Sequence, residues 1–234
     1  MYLTVKGKTD GFGAQYQAIL SGIAYCRYKK ITYIHTPFFN LYHGVDTKKA
    51  NEFIGIDTNI EMYKFENIIE LPFVREVHYS KLPSIYYTKE TLEYIRNCYY
   101  STLKPDVTQF DIAIHIRRGD VDINKNSERY LSNDVYKKII SKLRELHPEK
   151  NITIFSEGKN EDFKELGLED SSFKLNLDVF ETFHSLVTSK ILVIGFSSFS
   201  YCAGLISTNT VYYHDSFWHK KLDHWLSVTD NLMS

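Results

Sequence analysis

Four polar residues crowd the end of an apolar run near the middle of this 234-residue chain. His115, Arg117, Arg118 and Asp120 follow Ile112-Ala113-Ile114, with only Ile116 and Gly119 between them. Two adjacent guanidiniums at the tip of a buried strand must meet anions, because an unpaired charge removed from water is costly. Alternation along a strand sends Arg117 and Arg118 to opposite faces, so the two have different jobs. One planar fork of donors suits a diphosphate, and the other suits Asp120 and would hold the loop. A structural ion pair at a strand end is the plainer use of the same residues.

A second group is Gly195-Phe196-Ser197-Ser198-Phe199-Ser200, which follows the apolar stretch Ile191–Ile194 and opens a helix. Ser197 or Ser198 is the N-cap, and the unpaired N–H groups of the first turn, with the helix dipole behind them, form an anion site. Plain capping uses the same serines. The third group, Gly11-Phe12-Gly13-Ala14-Gln15, is a glycine loop between a first strand and a first helix. It lacks the third glycine and the downstream acid of a dinucleotide fingerprint.

The elements that must position these groups follow from hydrophobic periodicity. Tyr2–Val5 reads as a strand, Ala14–Arg27 as a helix and Ile31–Ile34 as a second strand. Between Phe38 and Lys104 the pattern weakens to short helical stretches near Lys49–Ile54 and Lys89–Tyr100. Lys104-Pro105-Asp106 is the best linker, since proline disfavours helix in the residue before it. Beyond it, strands at Ile112–Ile116, Ile152–Phe155, Phe173–Leu177, Ile191–Ile194 and Val211–Tyr213 alternate with helices at Asn133–Leu146, Val179–Ser189 and Ser198–Ile206. Leu222–Leu232 reads as a last helix. Apolar strands alternating with helices predict an α/β fold with parallel sheets, whose ligands sit beyond the carboxyl ends of the strands. The polar groups fall there.

Composition narrows the class further. Twenty-eight basic against 29 acidic residues give a formal charge of −1, without the basic excess of a nucleic-acid binder. The 18 tyrosines and 15 phenylalanines serve mainly as core. Cys26, Cys98 and Cys202 are odd in number, lack metal-ligand spacing and read as reduced, buried thiols. With no apolar leader and no run long enough to span a membrane, the expected location is cytoplasmic, an excised domain being the alternative. Asn151-Ile152-Thr153 fits a glycosylation pattern but opens a buried strand.

Taken together, the three polar groups resemble a known arrangement. His115–Asp120 resembles the His-x-Arg-Arg-x-Asp motif of the superfamily of alpha-1,2-, alpha-1,6- and protein O-fucosyltransferases. The stretch from Asp178 through Glu181 and Phe183 to Leu205 looks like the C-terminal motif of the alpha-1,2 branch, and Gly11–Gln15 is similar to the family's Gly-x-Gly-Asn-Gln. Order and spacing agree, whereas residues 38–105 add nothing.

The resemblance implies a GT-B-like fold of two Rossmann-type lobes. Residues 1–105 would form a reduced, acceptor-side lobe, and residues 106–234 the nucleotide-sugar lobe, with the last helix able to pack back on the first. It implies inverting transfer of L-fucose from GDP-fucose to a glycan hydroxyl, with neither metal nor cofactor. Arg117 would bind the diphosphate and stabilise the departing GDP, because a fixed positive charge acts most where negative charge develops. Ser197, Ser198 and the Phe199 backbone would cradle the same phosphates. His115 and Asp178 (or Glu181) would contact guanine, Arg118 and Asp120 would hold the loop, and Gly11, Gly13 and Gln15 would lie near the sugar-phosphate. The general base is not fixed by the motif; Asp122, Glu128 and Asp10 are the candidates.

Two departures stand out: Ala14 replaces the family's asparagine, and Tyr201-Cys202 replaces an aromatic pair. The chain is also shorter than family members usually are. Asp120-Val121-Asp122 matches the metal-binding Asp-x-Asp of another glycosyltransferase class. With Arg117 available to neutralise phosphate and Asp120 assigned to the loop, no metal is predicted, and the histidines lack zinc spacing. The competing readings are another GDP- or UDP-sugar donor and an inactive sugar-nucleotide or glycan-binding module.

Overall fold

The computed structural model describes residues 1–57 and 67–233. The chain divides into two compact units, Met1–Lys104 with Trp218–Asp223, and Pro105–Phe217 with His224–Ser234. Both have the α/β composition and parallel pairing that the alternation of strands and helices predicts.

The first unit contains β1 (Tyr2–Val5), α1 (Phe12–Lys29), β2 (Thr32–Tyr33), α2 (Thr47–Ile54), β3 (Ile68–Leu71), α3 (Arg75–His78) and α4 (Lys89–Tyr100). Its sheet runs β2-β1-β3, all parallel. β3 went unread in the sequence, because Ile68 to Leu71 is half exposed and carries no buried alternation. Helix α1 is buried on nearly all sides. It begins at Phe12, so Gly13 lies inside the helix rather than in a loop; only Gly11 stays extended, as the N-cap. Burying the helix start is what pulls Phe12 in: its ring packs against Tyr16, Phe38 and Phe53 at 5.5–6.1 Å.

The second unit contains β4 (Ile112–His115), α5 (Asn133–Leu146), β5 (Ile152–Ser156), β6 (Phe173–Leu175), α6 (Val179–Thr188), β7 (Ile191–Val193), α7 (Ser198–Ile206), β8 (Thr210–Tyr213), β9 (Leu226–Ser227) and α8 (Val228–Leu232). All pairings are parallel, in the order β6-β5-β4-β7-β8-β9. Counted from β4, that is 3-2-1-4-5-6, the doubly wound order whose chain reverses direction between the first and fourth strands. The strands are apolar throughout because helices cover them: α5 buries Tyr136, Ile139, Ile140 and Leu143, one face at i, i+3, i+4 and i+7. These join Ile112, Ile114, Ile154 and Val193 in one core.

The C-terminal stretch differs from the single helix expected over Leu222–Leu232. Leu226-Ser227 pairs as a strand with Tyr212-Tyr213, and Ser227 then caps α8, its Oγ accepting from Asp230 N at 3.0 Å. A capping serine and a buried Trp225 start the helix late. The return to the first unit is made by Trp218–Asp223, whereas α8 belongs to the second. Among the described residues no helix is long and apolar enough to cross a membrane. Cys26, Cys98 and Cys202 are free thiols, but Cys98, near the end of α4, is only partly buried, unlike the other two.

Candidate active site

β4 and β7 are neighbours, and their carboxyl ends bring the two polar groups of the second unit together. His115 closes β4, and its ring Nδ1 lies 3.0 Å from Ser200 Oγ in the first turn of α7. The ring also packs against Phe199 at 5.6 Å, and Phe199 against Phe183 of α6 at 5.2 Å. Three elements thus meet at the reversal of strand order, where ligands of such sheets bind. Gly195 lets β7 turn there: a Cβ at this position would sit 2.5 Å from His115 O. Burial first, and the charge of Arg117 second, push the His115 pKa down to about 3, so the imidazole is neutral at physiological pH.

The arginines divide their work as strand alternation requires, but with partners other than those the resemblance implies. Arg117, not Arg118, holds Asp120, through Nε–H to Oδ1 at 3.2 Å and Nη2–H to Oδ2 at 2.7 Å. The reason is reach: three residues on, Asp120 follows Gly119 at φ +82°, and the turn brings the carboxylate back under the Arg117 fork. The positive φ calls for Gly119, and a Cβ there would also displace the Glu157 carboxylate. The Arg117 and Asp120 side chains are 21% and 31% exposed, so the pair still faces solvent. Nη1 of Arg117 makes no hydrogen bond within the described residues.

Arg118 does hold the loop, but through neutral acceptors. It donates to Arg117 O (2.9 Å), Leu131 O (2.9 Å) and Asn133 Oδ1 (2.8 Å), and stacks over Tyr130 at 4.4 Å. Asn133 passes the contact on to Asp162 O at 2.7 Å. Burial pulls the Arg118 pKa below its usual value. The two stretches flanking Arg118, residues 117 and 130–133, are tied by this one side chain.

Ser197 is the N-cap of α7: it is buried, and its Oγ accepts from Phe199 N at 3.3 Å. Ser198 is the first helical residue and is partly exposed. Asp178 caps α6 in the same way, accepting from Phe180 N (2.8 Å) and Glu181 N (3.2 Å) through Oδ1, and Glu181 is exposed in that first turn. Asp122 folds its own loop, Oδ1 accepting from Asn124 N and Lys125 N at 2.7 and 2.8 Å. Glu128 is exposed and pairs with Arg129 at 3.3 Å. Among the described residues no three His, Cys, Asp or Glu side chains cluster as a metal site.

Gly11, Gly13 and Gln15 lie in the first unit. The Gln15 amide donates to Asp10 O and Asn40 O at 2.8 and 2.6 Å, and Asp10 Oδ1 accepts from Gly11 N at 2.8 Å. Their side-chain chemistry thus goes into joining two loops. Sequence reasoning missed Ser200, Asn133 and Tyr130 as builders of the second unit's site. Only Ser200 stood in a quoted motif, and the other two contact Arg118 across a loop whose path the sequence does not show.

Comparison of the sequence with protein-family models finds no match, and comparison with curated proteins finds none. Among solved structures, the E. coli heptosyltransferase WaaC with ADP matches over 97% of this chain and 92% of its own, at 11% identity and a TM-score of 0.47. POFUT1 in complex with GDP-fucose matches over 97% and 96%, at 10% identity and a TM-score of 0.41. At this level the likenesses assign neither ligand nor activity to this chain.

Proposed function

We propose that the chain is a GT-B-type glycosyltransferase whose second unit binds GDP-fucose and which transfers L-fucose to a glycan hydroxyl, with inversion and without a metal. One observation carries the reading. A loop holding a fixed guanidinium and a serine-capped helix end at adjacent strand tips, on the reversal point of a 3-2-1-4-5-6 sheet, joined by His115–Ser200. The His-x-Arg-Arg-x-Asp resemblance supplies the sugar nucleotide.

In this reading the acceptor oxygen attacks the anomeric carbon from the face opposite GDP. The bond from that carbon to the β-phosphate oxygen breaks, its electron pair stays on the phosphate, and the hydroxyl proton leaves to a base or to water. Arg117 meets the charge that appears on the leaving phosphate. Asp120 takes the Nε–H and one Nη2–H, so both Nη1 hydrogens and the second Nη2–H are the donors it offers, and Asp120 fixes their direction. The first-turn N–H groups of α7 add dipolar support. His115 would contact the base, with Asp178 or Glu181 accepting from its N–H edge. Asp122 and Glu128 are the proposed proton acceptors, both exposed on the loop after Arg118.

The test is calorimetric titration with GDP, UDP, ADP and GDP-fucose, followed by transfer assays on a broad glycan array. GDP should bind at least about tenfold tighter than UDP or ADP, about 1.4 kcal/mol, and fucose should appear on a glycan. A preference for UDP or ADP removes the guanine assignment. Binding of GDP-fucose without transfer to any glycan supports an inactive binding module, a reading favoured by the Asp120 carboxylate already gripping Arg117.

A further inference from the structure

Ser200 is wholly buried, and its hydroxyl is shared among three polar neighbours, all within the second unit. Gly195 N–H, at 3.2 Å, can only donate to it. Ser197 O, at 3.4 Å, can only accept; it lies beyond the usual range for O–H···O and already takes Tyr201 N–H at 3.0 Å. His115 Nδ1, at 3.0 Å, can do either. The hydroxyl has a single hydrogen. Sent to Ser197 O it would make a poor bond to a satisfied carbonyl, while sent to Nδ1 it makes a good one. An imidazole that accepts at Nδ1 and stays neutral carries its proton on Nε2.

We infer that Ser200 is a positioning residue that fixes His115 as the Nε2–H tautomer, so that the ring offers a ligand a donor and selects a base bearing a carbonyl oxygen over one bearing an amino group. Guanine and adenine differ in this respect, O6 being an acceptor where adenine's N6 amine is a donor. The selection part rests on the nucleotide reading given above; the tautomer does not. Neighbouring features agree with a rigid ring: Phe199 packs on it, and Gly195 lies so close that a Cβ there would sit 3.4 Å from His115 Nδ1. Burial and Arg117 keep it neutral.

The tautomer is read directly by two-bond ¹H–¹⁵N correlation on histidine-labelled wild-type protein near neutral pH, with His115→Asn identifying the signal. The expected pattern is a protonated Nε2 and an unprotonated Nδ1; a protonated Nδ1 overturns the inference without any variant at Ser200. In Ser200→Ala the His115 pattern should move toward mixed tautomers, and GDP affinity should fall roughly three- to tenfold, the range of one hydrogen bond, while ADP affinity changes less than about twofold. An unchanged His115 signal in that variant removes Ser200 as the positioning residue. Equal losses for GDP and ADP reduce its role to packing and overturn the selection. A wild-type protein that binds neither nucleotide overturns the nucleotide reading and the selection, and leaves the tautomer result to stand or fall on its own spectrum.

Discussion

Acidification should unfold the first unit well before the second, and the difference can be worked out from four histidines. Burial is the main cause in each: it draws His35 and His78 down to about 4, and His115 and His219 to about 3. Lys8 adds to the effect at His78, Arg117 at His115, and His78 itself at His219. Above the unfolded value near 6.5 both states are neutral and nothing is lost. Below it the unfolded chain takes up protons that the folded chain refuses, so stability falls as pH falls, until the folded values are reached. At about pH 5 each histidine therefore costs about 2 kcal/mol, roughly 1.4 kcal/mol for each pH unit below 6.5. Three of the four, His35, His78 and His219, lie in the first unit, and only His115 in the second. The first unit should lose about 6 kcal/mol and the second about 2, against a typical total of about 5–15. His214, drawn down by burial, acts in the same direction in the second unit.

Each unit contains one of the two tryptophans, Trp218 in the first and Trp225 in the second. Urea titrations of Trp225→Phe and Trp218→Phe, followed by fluorescence at about pH 7.5 and about pH 5, separate the two. With a slope of about 2–3 kcal/mol per molar urea, the Trp218 midpoint should drop by about 2–3 M and the Trp225 midpoint by about 1 M or less. Equal drops, or a Trp218 midpoint that does not move, refute the reasoning.

Arg117→Ala should lower turnover with GDP-fucose by about 10²–10³-fold while leaving the urea midpoint of the second unit within about 0.5 M, because its fork holds only a partly exposed carboxylate; near wild-type kcat removes it from the mechanism. Arg118→Lys should behave in the opposite way. One ammonium cannot reach Arg117 O, Leu131 O and Asn133 together, so the loss of about 1–3 kcal/mol appears in the thermal midpoint and is not recovered by saturating GDP. Gly119→Ala should destabilise the second unit by about 1–3 kcal/mol, and pairing it with Glu157→Ala should restore only part, since the clash is relieved but the positive φ is not; complete rescue would place the whole cost in the clash.

Much of the second unit was legible because its strands are buried on both faces and its helices on one. The start of α5 at Asn133 falls where apolar periodicity places it, and both ends of α7, Ser198 and Ile206, where periodicity and the capping Ser197 do. The first unit was less legible for the converse reason. β3 is half exposed, β2 pairs through only two residues, and α1 starts early because aromatic packing around Phe12, which is long-range, overrides the local glycine signal. At the candidate site, the sequence could say that two arginines on one strand tip face apart, but not which one finds Asp120. That depends on the Gly119 turn, whose φ is a property of the folded loop. The Arg118 acceptors and the Ser200 hydroxyl were hidden similarly: carbonyls and a helix-interior serine carry no sequence pattern that marks them as partners.

The stretch Trp218–Asp223 makes the first unit discontinuous. It is latched there by His219 Nδ1 against His78 O at 3.1 Å and by Asp223 N–H to Ser84 Oγ at 2.9 Å, while Trp218 Nε1–H steadies the His219 ring by donating to its Nε2 at 2.8 Å. During synthesis the ribosome must therefore make the doubly wound sheet through β8 before the earlier half receives its last piece. A nascent chain released after residue 104 lacks that piece, and a clean cut between the halves would yield one fragment missing its clasp and another trailing it.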